Sequence, residues 1–242
     1  MNPIASNLAR LRAEIAAAAQ SVRRNPADIT LIAVSKTHPI ASIETALAAG
    51  QHVFGENTIQ EALPKIAHFA HRGPPSEISP EWHFIGHLQS NKAKSIPSNF
   101  SWLHSLDSLK LAQRLHRFAQ EQHTSVNALI EVNITRDPRK HGVAPPDVAP
   151  LLERLLAQDL ASIRLRGLMT IGLYPAAEPE IRRTYAALRD LREECQRRFD
   201  LPAFGHLSMG MSGDYIEAVK EGATLLRIGT AIFGERDYRG TN

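Results

Sequence analysis

A single cysteine, Cys195, stands among 242 residues, so no internal disulfide can form and a disulfide-stapled secreted scaffold is excluded. Its neighbours Arg192, Glu193, Glu194, Arg197 and Arg198 predict a solvated helix face, and a reducing, cytoplasmic location is expected. No apolar run approaches the roughly 18 residues of a membrane span, and no apolar segment followed by a cleavage site marks a secretory signal. Charge of one sign is also missing. Lys plus Arg is 28 against 25 Asp plus Glu, a net of +3, which provides no basic face for nucleic acid. Glycine and proline, 14 and 15 residues, are too few for collagen or low-complexity classes. The two common phosphate-loop fingerprints are absent too: no G-x-G-x-x-G follows the first apolar run and no G-x-x-x-x-G-K-[ST] occurs, which argues against a dinucleotide-binding open sheet or a P-loop enzyme.

What is present is an alternation of short apolar runs with helical patterns. Ile4, Leu8, Leu11, Ile15, Ala18 and Val22 recur at helical spacing with Ser6 as the expected N-cap, giving an N-terminal helix within residues 1–25. Eight runs of strand length follow, at residues 30–35, 52–54, 82–86, 102–105, 127–134, 163–172, 206–210 and 224–229. Helices are predicted from Pro39 to Gly50, from Thr58, at residues 90–95, after an Asp107 N-cap, at residues 147–157, 179–199 and 213–221. Residues 74–80 and 145–150 read as loops. A helix in each crossover implies parallel pairing. Eight such units in this length predict an α/β fold, a (β/α)8 TIM barrel at residues 30–236 with an extra N-terminal helix, forming one domain over residues 1–242.

In such a barrel the functional groups sit at the C-terminal strand ends. Those positions are Lys36, Asn57, His87 with Gln89, Asn133, Met169 with Thr170, Met209 to Ser212, and Gly229 with Thr230. Lys36 ends the most apolar run, where partial desolvation would lower an ammonium pKa and favour a Schiff-base nucleophile; a lysine emerging into solvent is the plainer alternative. The seventh and eighth loops, MGMSGD (Met209–Asp214) and RIGTAIFG (Arg227–Gly234), offer small residues and the hydroxyls of Ser212 and Thr230, suited to a phosphate. A strand-end lysine opposite a phosphate cradle suggests a phosphorylated aldehyde. Arg227, two residues before Gly229, points inward if Gly229 does. It is then a partner for the pyridine nitrogen of pyridoxal phosphate, or forms a salt bridge to Glu131 or Asp214.

IAVSK ending at Lys36, FGEN ending at Asn57, WHFIGHLQSNK (Trp82–Lys92), GLMTIG (Gly167–Gly172), LSMGMSGD (Leu207–Asp214) and VKEGATLLRIGTAIFGERDY (Val219–Tyr238) together resemble the pyridoxal 5′-phosphate-binding homeostasis protein family. The resemblance covers nearly the whole chain, with His87 standing where a proline or small residue is expected. It implies a single-domain barrel of fold type III, with Lys36 forming the internal aldimine. It further implies that Ser212, Gly229 and Thr230 hold the phosphate, that Arg227 faces the ring nitrogen, and that Asn57 and Met209 form the walls. The expected role is a non-enzymatic one, buffering or delivering the cofactor in vitamin B6 homeostasis. The chain would act as a monomer, with recipient pyridoxal phosphate enzymes as partners. An amino-acid racemase is the alternative. It needs a second base, usually completed by a C-terminal β-domain, and only about a dozen residues follow the eighth run. Tyr215 and Tyr238 lack a route to the opposite face. A sugar-phosphate isomerase is a weaker reading, since it would not need Lys36. The pairs His83/His87 and His68/His71 lack further ligands for zinc. Trp82 and Trp102 read as core anchors, and the Arg-rich stretch Arg182–Arg198 as a solvated face.

Overall fold

The computed structural model of the chain describes residues 3–70, 79–173 and 175–235. Helix α1 (Pro3–Ser21) precedes eight strands that alternate with helices. The order is β1 (Thr30–Val34), α2 (Ile40–Ala48), β2 (Val53–Glu56), α3 (Ile59–Ala70), β3 (Glu81–Phe84), a 3₁₀ segment (Ser90–Ser95) and β4 (Trp102–Leu106). It continues with α4 (Leu109–Glu121), β5 (Val126–Glu131), α5 (Val148–Leu156), β6 (Ile163–Met169), α6 (Glu178–Arg198), β7 (His206–Ser208), α7 (Tyr215–Lys220), β8 (Leu225–Ile228) and α8 (Thr230–Phe233). Every strand pairs in parallel with its sequence neighbour, and β8 returns to β1, so the sheet closes. This is the (β/α)8 TIM barrel.

Two apolar layers follow from the alternation of side chains along each strand. Ile32, Leu129, Met169 and Leu225 fill the barrel interior, with Val53 and Trp102 against them. The intervening residues, such as Ala33, Phe54, Phe84 and Leu207, meet the helices outside. Leu8, Leu11 and Ile15 bury one face of α1, which packs on α7, α8 and α2. The helix begins at Pro3, so Ser6 lies inside it and does not cap it. The N-cap of α4 is Ser108, whose Oγ accepts from Leu111 N, and not Asp107. Residues 145–150 form a 3₁₀ turn and the start of α5 instead of a loop, because Pro145 and Pro146 preset the helical φ. His71, Arg72, Pro74 and Tyr238 lie outside the described residues.

Cys195 corrects the sequence reading. It is buried, because it continues the stripe of Ile181, Tyr185 and Leu188 with which α6 covers the barrel, while its charged neighbours point away. Part of the remaining face is also engaged: Arg182 and Arg189 both pair with Glu221. Burial pushes the Cys195 thiol up to about 11. The native protein should therefore leave Cys195 unlabelled by an aromatic disulfide reagent at pH 8 over minutes, and react with one equivalent in strong denaturant. Prompt stoichiometric labelling of the native protein would contradict the burial.

Candidate functional site

The inward parity of the strands runs on into their C-terminal loops and builds one cavity at that end of the barrel. Ile32 and Val34 face inward on β1, and Lys36 follows at the same parity; Leu225 and Arg227 on β8 lead to Gly229. A cavity of ≈ 490 Å³ is lined by Lys36, Asn57, Ser212, Arg227, Gly229 and Thr230, together with Val34, His38, Ile85, Ile171, Met211 and Gly213. Its size suits a small cofactor. Six of the seven residues singled out from the sequence thus meet there. Met209 does not. Ser208 faces inward, so Met209 takes the outward parity and is fully buried in the core between barrel and helices. Met211, two residues on, supplies the wall instead.

Lys36 is presented by a buried ionic cluster. Glu56, at the end of β2, is fully buried and accepts from Ser35 Oγ (2.6 Å) and Lys65 Nζ (2.8 Å). Lys65 also donates to the Ser35 carbonyl (2.8 Å) and to Glu61 (2.8 Å), and Glu61 accepts from Thr37 N–H. Residues 35 and 37 are therefore fixed on either side of Lys36. Thr37 adopts φ 66°, a left-handed conformation that a β-branched residue resists and that the cluster sustains. Burial outweighs Lys65 and raises the Glu56 pKa. Asn57 is set by close backbone approach, since a Cβ on Gly86 would overlap its carbonyl oxygen. Its Oδ1 is buried without a protein hydrogen bond.

The opposite wall is closed by Asp214. Its Oδ1 accepts from Met211 N–H (2.6 Å) and its Oδ2 from the buried Tyr185 hydroxyl (2.6 Å). This folds the loop so that Ser212 Oγ accepts from Ala231 N–H (3.3 Å), joining the seventh loop to the eighth. The Ser212 hydroxyl proton remains available to an acceptor in the cavity. Gly210, with φ 94°, starts the turn where a Cβ would come within 2.6 Å of Ala218 Cβ.

Arg227 forms part of the cavity lining and is itself almost fully buried (5% exposed). Nη1 donates to Ser208 Oγ (2.5 Å) and Nη2 to the Thr170 carbonyl (2.8 Å). The salt bridge left open by the sequence is replaced by these two bonds, and Asp214 and Glu131 act on Arg227 only through space. Glu131 enters the sequence reading only as a possible salt-bridge partner of Arg227, because the fifth run extends to residue 134 with Asn133 at its end, whereas β5 ends at Glu131. It is buried, its Oε2 has no hydrogen-bond partner, and burial raises its pKa to about 7 against the pull of Arg227. His83, weighed as a zinc ligand with His87, instead bonds His104 inside the barrel. His87 stacks on His141 at 3.8 Å, and His68 pairs with Glu44. Tyr215 turns its hydroxyl to Glu14 of α1.

The folded protein holds the Glu131 proton more tightly than the unfolded chain does, since its pKa rises from 4.5 to about 7. Its contribution to stability is therefore complete below pH 4.5 and is lost as pH rises through 7, a change of about 3 kcal/mol. Glu131→Gln, which copies the protonated form, should remove that part of the pH dependence in denaturant unfolding between pH 5 and 8.5. An unchanged slope in the variant would contradict the assignment.

Residues 6–237 match the family described as alanine racemase, N-terminal domain. The chain is 43% identical over 238 residues to the pyridoxal phosphate homeostasis protein of Pseudomonas aeruginosa, covering 98% of each chain. It is 42% identical over 239 residues to that of Escherichia coli K12, covering 98% of this chain and 99% of the relative. Among solved structures it is similar to PipY of Synechococcus elongatus with PLP bound. The identity there is 38% and the TM-score 0.82, with 96% of this chain and 100% of that chain covered. Alanine racemase from Corynebacterium glutamicum shares the fold at 19% identity and a TM-score of 0.69, with 63% of that chain covered. With these likenesses over nearly its full length, the chain belongs to the alanine racemase N-terminal domain family and, within it, to the pyridoxal phosphate homeostasis proteins.

Proposed function

We propose that this protein binds pyridoxal 5′-phosphate in the cavity between Lys36 and the Ser212–Thr230 wall, holds it covalently on Lys36, and buffers or delivers it to cofactor-dependent enzymes in the cytoplasm. The observation that carries the reading is the convergence in one cavity of a lysine, two hydroxyls flanked by glycines, and a buried arginine. The bound cofactor supplies an aldehyde, the electrophile that a lysine amine condenses with, releasing one water. The residues present fit that group. Ser212 can donate to a phosphate, Gly213 and Gly229 let it approach the backbone, and Asn57 Oδ1 is a buried acceptor with no protein partner. Arg227 stays protonated and only donates, so facing a ring nitrogen it would leave that nitrogen unprotonated and the ring a weak electron sink.

The homeostatic role is supported by relatives of the same length bearing that name and by the PLP-bound PipY structure. A racemase needs proton-transfer groups on both faces of the ring. Tyr215, a sequence candidate for such a group, is committed to Glu14 on the outer helix α1, which favours storage over catalysis.

Borohydride reduction of the yellow protein followed by peptide mapping should place the label on Lys36. Label on another lysine, or none, would reject covalent holding there, and Lys36→Ala should lose the visible band while remaining folded. Ser212→Ala should weaken binding of the phosphorylated cofactor by roughly 1.5–3 kcal/mol, about tenfold to a hundredfold. Unphosphorylated pyridoxal should bind nearly as before; equal losses for both would mean that Ser212 serves the fold. Solvent deuterium should enter the Cα position of alanine only slowly, and rapid exchange would favour the racemase.

A further inference from the structure

Beneath the cavity, the barrel interior holds polar side chains that cofactor binding does not require. Arg227 Nη1 donates to Ser208 Oγ on β7 (2.5 Å), and Ser208 Oγ lies 2.8 Å from His104 Nδ1 on β4. His104 Nε2 lies 2.9 Å from His83 Nδ1 on β3, and His83 Nε2 lies 3.2 Å from Glu81 Oε1 at the N-terminal mouth of the barrel. Ser208 and His104 are fully buried and His83 nearly so, whereas Glu81 reaches solvent. The file therefore crosses the barrel from the floor of the cavity to the opposite surface.

The direction of its hydrogen bonds follows from its two ends. A guanidinium can only donate, so Ser208 Oγ spends one lone pair on Arg227, and either its proton or its second lone pair meets His104 Nδ1. At the other end an ionised carboxylate can only accept, so His83 must carry its proton on Nε2. The Trp102 indole N–H, a donor only, also bonds Glu81, and the bond from His83 holds the Glu81 carboxyl below its usual range. Burial lowers the pKa of both histidines, that of His104 most strongly, with His83, Arg227 and His206 adding to the effect. Both rings are thus neutral near pH 7, and each has one donor and one acceptor. A single arrangement then satisfies every bond: Ser208 donates to His104, His104 through Nε2–H to His83, and His83 through Nε2–H to Glu81. The reverse would leave the Ser208 proton with no acceptor and set two acceptors face to face at Glu81, costs that a buried file does not tolerate.

We infer that Glu81 sets the direction of the hydrogen bonds that end on Arg227. Through the file His83–His104–Ser208 it polarises the Ser208 hydroxyl so that only lone pairs face the guanidinium, which makes these four residues positioning residues for the cavity floor. The inference rests on the cofactor reading only for its consequence in binding; the file itself is a property of the cofactor-free protein.

The test is long-range ¹H–¹⁵N correlation NMR on cofactor-free protein labelled with [¹⁵N]histidine and [¹⁵N]arginine at pH 7.5. His83 and His104 should both appear as neutral Nε2–H tautomers, with resolved Arg227 Nη resonances. In Glu81→Gln the amide can donate as well as accept, so both histidines should show mixed tautomers and the Arg227 Nη signals should broaden. Glu121→Gln removes an exposed charge elsewhere on the surface (53% side-chain exposure), and should alter neither. An Nδ1–H tautomer at either histidine in the wild type would overturn the inference. So would unchanged tautomers, or unchanged Arg227 signals, in Glu81→Gln. With pyridoxal phosphate added, Glu81→Gln should bind about fivefold more weakly and show a shifted visible band; equal affinity and an identical spectrum would overturn the link to the cavity. Failure of the wild type to bind pyridoxal phosphate would refute the cofactor reading alone, because the tautomer result is obtained without it.

Discussion

A guanidinium inside a barrel is the constraint on which the rest of this structure depends. Removing Arg227 from water is expensive unless its donors are met and its charge is answered. The C-terminal ends of β6 and β7 are arranged around that need. Ser208 and the Thr170 carbonyl accept its two Nη groups. Glu131 and Asp214 contribute favourable charge at longer range, and among the described residues no carboxylate forms a salt bridge with it. The arginine therefore remains an undischarged donor at the floor of the cavity, which is the property a ligand with a basic ring nitrogen would use.

The walls obey the same logic of buried groups fixed by partners. Lys65, Glu56, Glu61 and Ser35 lock the backbone on both sides of Lys36, and the Tyr185–Asp214–Met211 chain closes the loop that carries Ser212. Both clusters form without a ligand. The cavity is therefore preorganised by the barrel, and binding need not bear the entropy of assembling it. The proposed holding of pyridoxal phosphate would gain from this, because a rigid donor set keeps the ligand in place.

Strand parity explains how much of this was legible in the sequence. Lys36 and Arg227 could be placed because βα alternation locates strand ends, and a period of two then assigns faces. Met209 does not line the cavity: the seventh strand ends with Ser208 facing inward, and past it the turn at Gly210, not strand parity, brings Met211 to the wall. Cys195 was misread because its charged neighbours in sequence are not its neighbours in space. The helical stripe of Ile181, Tyr185 and Leu188 carries the relevant signal. The Glu56–Lys65 pair and the His83–His104 file were invisible, since the first depends on how α3 seats on β2 and the second on which strands become adjacent or face one another across the closed barrel. Local patterns do not encode that.

In the proposed function, one preorganised cavity joins Lys36, the Ser212–Thr230 wall and Arg227 around a single ligand. A crystal structure of the protein grown with pyridoxal phosphate tests it most directly. Continuous density is expected from Lys36 Nζ into the ligand, with phosphate oxygens within hydrogen-bond distance of Ser212 and Thr230, the ring nitrogen facing Arg227, and little movement of residues 35–37 or 209–214. Ligand density elsewhere, or a phosphate directed away from Ser212 and Thr230, would contradict it.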